Sequence, residues 1–331
     1  VTTESSVTHD SHGAVAIAPP VSSGKFAAYC RLAKLDIFDY YLSLAVAWSL
    51  LAAPLRADST TLAVLALFGL GMLCLVAAMT TFDDVTGLRD GSDAANYGPD
   101  APLRKIRRKP LLAGTLTERE AIRFGWATAA GCVLLWGAAV AVAPHAPWWA
   151  VATAALCLVT SVQYSYGVKL SYHGWQEIFM VALGLGLVVA PYGLLAGEVT
   201  GFALVQGTLF GLGPLLFGVY SNTNDRAGDA AVGRPTVAVL TTERGNKVFI
   251  GAVSAVESVL IAAATLTGQA PWWFPLAMLP VVALRVIQFV TGVVRGRILT
   301  ARKLGTYTHR VSVVALVVTN VLLAAATGGG V

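Results

Sequence analysis

The chain has 331 residues, of which 12% are charged and 56% hydrophobic, and its mean hydropathy is +0.68. Soluble globular domains carry about a quarter of their residues as charges, because water must be met at the surface; this composition therefore excludes a disordered chain and argues against a soluble enzyme. The net charge of +5 and pI near 9.1 fit the basic loops of a membrane protein better than a nucleic-acid binder, and no nucleic-acid partner is expected.

Residues 1–24 mix Ser, Thr, Gly and Pro without a long apolar core, which predicts a flexible N-terminal tail and not a signal peptide. Residues 25–331 form the membrane domain. They break into apolar runs of about 20 residues, the length that crosses a hydrocarbon layer of ~30 Å at 1.5 Å per residue. About nine such runs lie near 37–56, 61–82, 121–143, 147–165, 174–196, 200–221, 247–268, 271–294 and 307–327. Each must be helical, because lipid offers no partner to backbone N–H and C=O groups. The expected fold is all-α, a polytopic bundle. Cys30, Cys74, Cys132 and Cys157 are far apart, with no CxxC pair, and read as small buried hydrophobes.

Lys and Arg test the span count, since they should gather in alternate loops. One set of connections holds Lys25, Arg31 and Lys34, the basic residues between Arg89 and Arg119, Lys169, those between Arg226 and Lys247, and those between Arg295 and Lys303; the opposite set offers only Arg56. This places the N-terminus and the acidic clusters described next on the cytoplasmic side of the cell (inner) membrane. Pro-Trp-Trp at 147–149 and again at 271–273 opens a helix on the outer side, where interfacial tryptophans belong. Gly184, Gly186, Gly207, Gly211 and Gly213 predict close helix contacts. Pro191, Pro214 and Pro280 predict kinks.

Acidic residues cluster after two spans. The first cluster holds Asp83, Asp84, Asp90 and Asp93, and the second Asp225 and Asp229, preceded by Asn222. Unpaired carboxylates at a membrane boundary are costly, so a cationic partner is expected. Mg²⁺ is usually bound through one or two carboxylates plus substrate phosphate, so two facing clusters would grip a diphosphate between metal ions. Asp225 and Asp229 share a face if the sixth span continues through them, whereas Gly87 and Gly91 predict that the first cluster unwinds into a loop. Arg89, the run 104–109 with Lys105 and Lys109, Lys169 and Arg234 stand close in sequence and are candidates to neutralise the leaving diphosphate. Basic loops also arise from topology and anionic-lipid attraction; recurrence of acids at equivalent span ends favours chemistry. Glu257 and Arg285 lie inside predicted spans and are candidates for function or mutual pairing, and His309 is unassigned. No GxSxG, Walker, HExxH or Rossmann pattern is present in its structural context.

In its span count and the placing of its motifs the chain resembles the UbiA superfamily of intramembrane prenyltransferases, and most of all the 1,4-dihydroxy-2-naphthoate polyprenyltransferase branch. That branch's Asn-Asp-x-x-Asp-x-x-x-Gly-x-Asp pattern falls on Asp83, Asp84, Gly87, Gly91 and Asp93; its Tyr-His-Gly-x-x-Glu on Tyr172, His173, Gly174 and Glu177; and its second motif on Asn222, Asp225, Asp229, Gly233, Arg234 and Thr236. Asp83 replaces an Asn, Gly87 replaces the middle Asp, for which Asp90 is the compensating candidate, and Arg234-Pro235 replaces a Lys and its neighbour. The resemblance implies helices around a central cavity, Mg²⁺ held by Asp83, Asp84, Asp90, Asp93, Asp225 and Asp229, and an isoprenyl diphosphate whose chain lies in an apolar tunnel open to lipid. The prenyl group would pass to a small, aromatic acceptor near Tyr164, Tyr166 and His173. A membrane terpene cyclase, which captures the cation with a double bond of the same isoprenoid, is the alternative. A cation channel would need acids stacked through the bilayer, and here they gather at its rim. A scaffold without chemistry would show no magnesium dependence.

Overall fold

The structure is a computed structural model that describes residues 24–34, 39–97 and 106–326. The tail expected at 1–24 lies outside them apart from Gly24, as does Lys105. Helices α1 (Lys25–Ala33), α2 (Ser43–Leu50), α3 (Ala53–Arg56), α4 (Ser59–Arg89) and α5 (Ser92–Asn96) are followed by α6 (Glu118–Val142), α7 (Trp148–Val162), α8 (Gln176–Ala196) and α9 (Gly201–Ala231). Then come α10 (Val237–Leu240), α11 (Glu243–Leu266), α12 (Phe274–Ala277), α13 (Leu279–Phe289) and α14 (Ile298–Ala326). The described residues contain no strand.

Within the described residues all nine apolar runs are helical, but unequally. Helices α4, α6, α8, α9, α11 and α14 are long and apolar enough to cross a membrane, whereas α7 and the segment Leu279–Val294 are shorter. The first run is represented by α2, which stops at Leu50 ahead of Pro54. Pro191 and Pro214 lie within continuous helices. Pro280 does not kink a continuous span: it sits in the first turn of α13, where its missing N–H costs nothing, and so marks a helix restart.

Side-chain caps set several starts. Asp58 accepts from Thr61 N, Thr200 from Ala203 N and Thr242 from Gly245 N, and Thr117 with Glu120 forms a capping box. Both α4 and α9 run for 31 residues, about 46 Å at the α-helical rise. That is longer than the ~30 Å hydrocarbon layer, so each helix projects several turns beyond it. Asp83 and Asp84 stand near the C-terminal end of α4 and Asp225 and Asp229 near that of α9, while Asp90 and Asp93 follow α4.

Helices α8 and α9 form the interior of the bundle: 78% and 83% of their apolar windows are buried, against 28% for α6 and 22% for α11. The outer helices turn Leu134, Val159 and Leu266 outward, as a lipid-facing surface requires. A Cβ added at Gly184 would collide with the backbone of Gly211, and one at Gly211 with that of Val181. Glycine is therefore what lets α8 and α9 touch backbone to backbone.

Glu257 and Arg285 pair with one another. Arg285 Nε and Nη2 donate to the two Glu257 oxygens at 2.8 and 2.9 Å, and its Nη1 donates to Gln288 Oε1 at 2.5 Å. Both charged residues are buried. Breaking such a pair leaves an uncompensated charge and costs about 3–5 kcal/mol, whereas replacing both partners is often neutral. Glu257→Leu is accordingly expected to lower the thermal midpoint of the detergent-solubilised protein, and Glu257→Leu with Arg285→Met to recover most of that loss. Differential scanning fluorimetry of the set checks this.

Candidate functional site

The site forms where the projecting ends of α4 and α9 meet α5 and two turns. Helix α4 remains regular through Asp83, Asp84 and Gly87 and ends at Arg89, so the first acidic cluster does not unwind at Gly87. The break comes at Gly91, whose φ of 79° is open to glycine at little cost, and α5 then folds back over α4. A Cβ on Gly87 would stand 2.7 Å from Cγ of Asp93. The Asp93 carboxylate thus fills the space a side chain at position 87 would need. Asp90 points elsewhere: it accepts from the Tyr172 hydroxyl and from Ser92 N. Burial works against its ionisation, but these hydrogen bonds and the Arg234 charge hold its carboxyl below the ordinary value.

Three cations meet the carboxylates of the first cluster. Asp84, wholly buried, accepts at Oδ1 from Lys34 Nζ at 2.5 Å and Lys109 Nζ at 2.7 Å, and Lys109 also reaches Asp93 Oδ1 at 2.6 Å. Burial opposes the charge on Lys109, yet Asp84, Asp93 and Asp83 raise its affinity for the proton well above the ordinary value. Asp83 Oδ1 accepts from Ser165 Oγ at 2.8 Å and from Arg234 Nη2 at 3.4 Å. Among the described residues, the buried Asp84 Oδ2 has no hydrogen-bond partner.

The second cluster lies on α9, which stays helical to Ala231, so Asp225 and Asp229 share one face. Beyond it Gly233, with φ of 69°, turns the chain back, and Arg234 N donates to the Asp229 carbonyl at 2.8 Å. This aims the Arg234 guanidinium across the site at Asp83 and over the Tyr172 ring, 4.9 Å from its centroid. Burial opposes the Arg234 charge, but Asp83 and its other neighbours hold its pKa far above the ordinary value. Asn222 is buried between Gln176, whose Nε2 donates to it at 2.8 Å, and Glu177, to which its Nδ2 donates at 3.4 Å; Glu177 also accepts from Val237 N.

The turn between α7 and α8 supplies the rest. Lys169 adopts φ of 57° and places its ammonium 5.1 Å from the Tyr172 ring centroid. Tyr164 stacks on Phe179 beside an apolar groove of about 240 Å³ between α7 and α8, lined by Thr153, Leu156, Leu170, Trp175, Phe179 and Leu183 among others. His173 is exposed. Tyr166 stacks on Phe82 and meets Trp126 edge-on, on the side of α4 that faces α6. Arg89 is exposed and donates to Glu118 at 2.6 and 2.9 Å. Lys34 and Ser165 had no local motif to single them out. Both join the site through residues about 50 and 82 positions away.

The carboxylates fit magnesium in part. Among the described residues no three Asp, Glu, His or Cys side chains converge closely enough to hold a metal ion. Two carboxylates on one helix face, completed by a substrate diphosphate, are what Mg²⁺ ordinarily takes, and Asp225 with Asp229 meet that need. On the α4–α5 side, Asp83, Asp84 and Asp93 each have a cation, whereas Asp90 is held by the Tyr172 hydroxyl and Ser92 N.

The UbiA prenyltransferase family matches residues 42–304, well over half of the chain. No curated protein matches it by sequence. Among solved structures, a digeranylgeranylglyceryl phosphate synthase superposes with a TM-score of 0.62 at 11% identity, covering 91% of this chain and 100% of the other. A UbiA homologue from Archaeoglobus fulgidus, bound to DMAPP and Mg²⁺, gives 0.62 at 14% identity over 87% and 99% of the two chains. The apo UbiA homologue from Aeropyrum pernix K1 gives 0.62 at 17% identity over 85% and 97%. At these identities the likeness carries the fold, and the family match carries membership: this integral membrane protein belongs to the UbiA prenyltransferase family.

Proposed function

We propose that this chain is a magnesium-dependent intramembrane prenyltransferase that ionises an isoprenyl diphosphate where α4, α5 and α9 end and passes the prenyl group to a small aromatic acceptor. The contact that carries this reading is Arg234 to Asp83, which joins the turn after one acidic cluster to the other cluster across 151 positions. It gathers carboxylates and fixed cations at one rim, as binding and release of a diphosphate require. Solved relatives bound to DMAPP or GPP together with Mg²⁺ support the same substrate class here.

Arg234 and Lys169 hold the diphosphate and meet the negative charge that grows on it as the allylic C–O bond breaks, in a setting of low dielectric where fixed charges act strongly. Bound magnesium supplies Lewis-acid charge to the same leaving group, with Asp225 and Asp229 as the residues that hold it. The apolar groove between α7 and α8 receives the isoprenoid chain and keeps water from the cation. Tyr164 stands beside this groove, and Tyr172 and His173 stand on the turn beyond, where an acceptor ring would approach. The Tyr172-His173-Gly174 sequence supports an acceptor of the 1,4-dihydroxy-2-naphthoate type. The basic residues at this end of the bundle support its lying at the cytoplasmic face of the cell membrane.

The test is turnover of the purified protein in detergent with Mg²⁺ and allylic diphosphates of several lengths, with and without 1,4-dihydroxy-2-naphthoate. Prenylated naphthoate and released diphosphate are expected only when both substrates and the metal are present. Magnesium-dependent cyclic hydrocarbon without acceptor would instead assign a terpene cyclase, and no diphosphate release under any condition would sink both readings.

A further inference from the structure

Tyr172 touches three charged side chains, from the end of α4, the turn after α9 and its own turn between α7 and α8. Its hydroxyl donates to Asp90 Oδ2 and accepts from Arg234 Nη2 at 3.3 Å. Its ring centroid lies 4.9 Å from Arg234 Cζ and 5.1 Å from Lys169 Nζ. Arg234 and Lys169 are the cations assigned above to the diphosphate, so one tyrosine meets both. An aromatic face attracts a cation, and a hydroxyl that accepts from a guanidinium sets the plane of that group as well as its place.

The direction of these bonds follows from Asp90. An ionised carboxylate only accepts, whereas a hydroxyl has one proton and two lone pairs. With the Tyr172 proton directed to Asp90, a lone pair is left for Arg234. Asp90 is itself held, because its Oδ1 accepts from Ser92 N at 2.9 Å. Tyr172 is fixed from the other side: its N donates to the Lys169 carbonyl at 2.8 Å, Ser171 N donates to the Tyr164 carbonyl at 2.8 Å, and the Thr86 hydroxyl donates to the Ser165 carbonyl at 2.6 Å. The turn is thereby fastened to α4, the helix that Asp90 follows. Arg234 Nη2 is shared by Asp83 and Tyr172, whereas the buried Arg234 Nε has no hydrogen-bond partner among the described residues. A buried donor left unsatisfied is costly, and a phosphate oxygen is a strong acceptor for it.

We propose that Asp90 and Tyr172 are positioning residues for the diphosphate: Asp90 orients the Tyr172 hydroxyl, and Tyr172 holds the Arg234 guanidinium with its Nε–H left to meet a phosphate oxygen. This rests on the diphosphate-binding reading above. It gives Asp90 a task other than that of a metal ligand, and it pairs two departures from the related pattern, since Asp90 is an added acid and Arg234 stands where that pattern has a lysine. A lysine ammonium is a compact point charge that needs no such alignment, whereas a planar guanidinium meets phosphate well only when its plane is set.

The experiment measures binding of an unreactive geranyl thiolodiphosphate by equilibrium dialysis with Mg²⁺, on the full chain in detergent, beside steady-state kinetics and a melting curve for each variant. Tyr172→Phe keeps the ring and removes the hydroxyl. It is expected to weaken binding of the analogue, and to lower kcat/KM for the allylic diphosphate, by about tenfold, as loss of one hydrogen bond to a charged group does. The KM for 1,4-dihydroxy-2-naphthoate is expected to stay unchanged. Asp90→Ala should have the same effect, and the double variant should lose no more than either single one, because both act through one contact. In an Arg234→Ala chain neither change should weaken binding further. Unchanged binding in a folded Tyr172→Phe protein would overturn the proposal while leaving the prenyltransferase reading intact. So would a loss as large in the Arg234→Ala chain as in the unaltered one, or a rise in the acceptor's KM alone. Failure of the unaltered protein to bind the analogue would overturn that reading and the proposal with it. Should Asp90→Ala not fold, Tyr172→Phe with and without Arg234→Ala decides.

Discussion

Arg234→Ala is expected to lower kcat/KM for prenyl transfer by about 10²–10³-fold, the usual loss when one fixed donor to a developing negative charge is removed. Arg234 ties the turn after the second acidic cluster to the first cluster, through Asp83 and through the hydroxyl and ring of Tyr172. Its removal takes charge from the leaving group and leaves Asp83 with Ser165 alone among its direct hydrogen-bond partners shown here. Arg234→Lys keeps the charge but loses the planar fork that reaches Asp83 and Tyr172 together, and should recover all but about tenfold of the activity. Steady-state kinetics beside a melting curve for each variant separate a chemical loss from an unfolded protein. Full activity in a folded Arg234→Ala protein would place the diphosphate elsewhere.

The second large effect concerns Gly87. Restoring an aspartate there, as the related pattern has it, drives a new side chain into the Asp93 carboxylate, whose nearest atom would lie 2.7 Å from the added Cβ. Overpacking a filled site costs about 1–3 kcal/mol, and a second buried negative charge beside Asp93 adds to it. Gly87→Asp should therefore lower the thermal midpoint by roughly 5 °C or more. Removing the obstacle with Asp93→Ala in the same chain should return most of that loss. The two changes occupy one space, so their effects should be non-additive by about 1–3 kcal/mol. Additive effects would show that the Asp93 carboxylate does not occupy the position over Gly87.

The positions of the helices were legible because lipid enforces a rule that local composition can express. A segment of about 20 apolar residues has no other way to satisfy its backbone than as a helix, so α4, α6, α8, α9, α11 and α14 fall where the apolar runs lie. The same local logic reads Asp225 and Asp229 as one face of α9, since i and i+4 are neighbours on any helix. It fails at Gly87, where glycine suggests a break and the helix continues. Glycine there answers a neighbour brought in from α5, which no helical propensity records.

What the sequence by itself determined is the membrane bundle, the order of its spans and the gathering of acids at two helix ends, because hydropathy and periodicity act over one helix at a time. Only the tertiary structure decided which cation meets which carboxylate. Lys34 and Lys109 come to Asp84, Asp93 covers Gly87, Asp90 turns to Tyr172 and Arg89 goes to Glu118. These partners lie on different elements, and a buried charge takes whichever opposite charge packing delivers within a few ångströms. Chain neighbours alone cannot specify that choice, since it depends on how α1, α4, α5 and α9 close on one another.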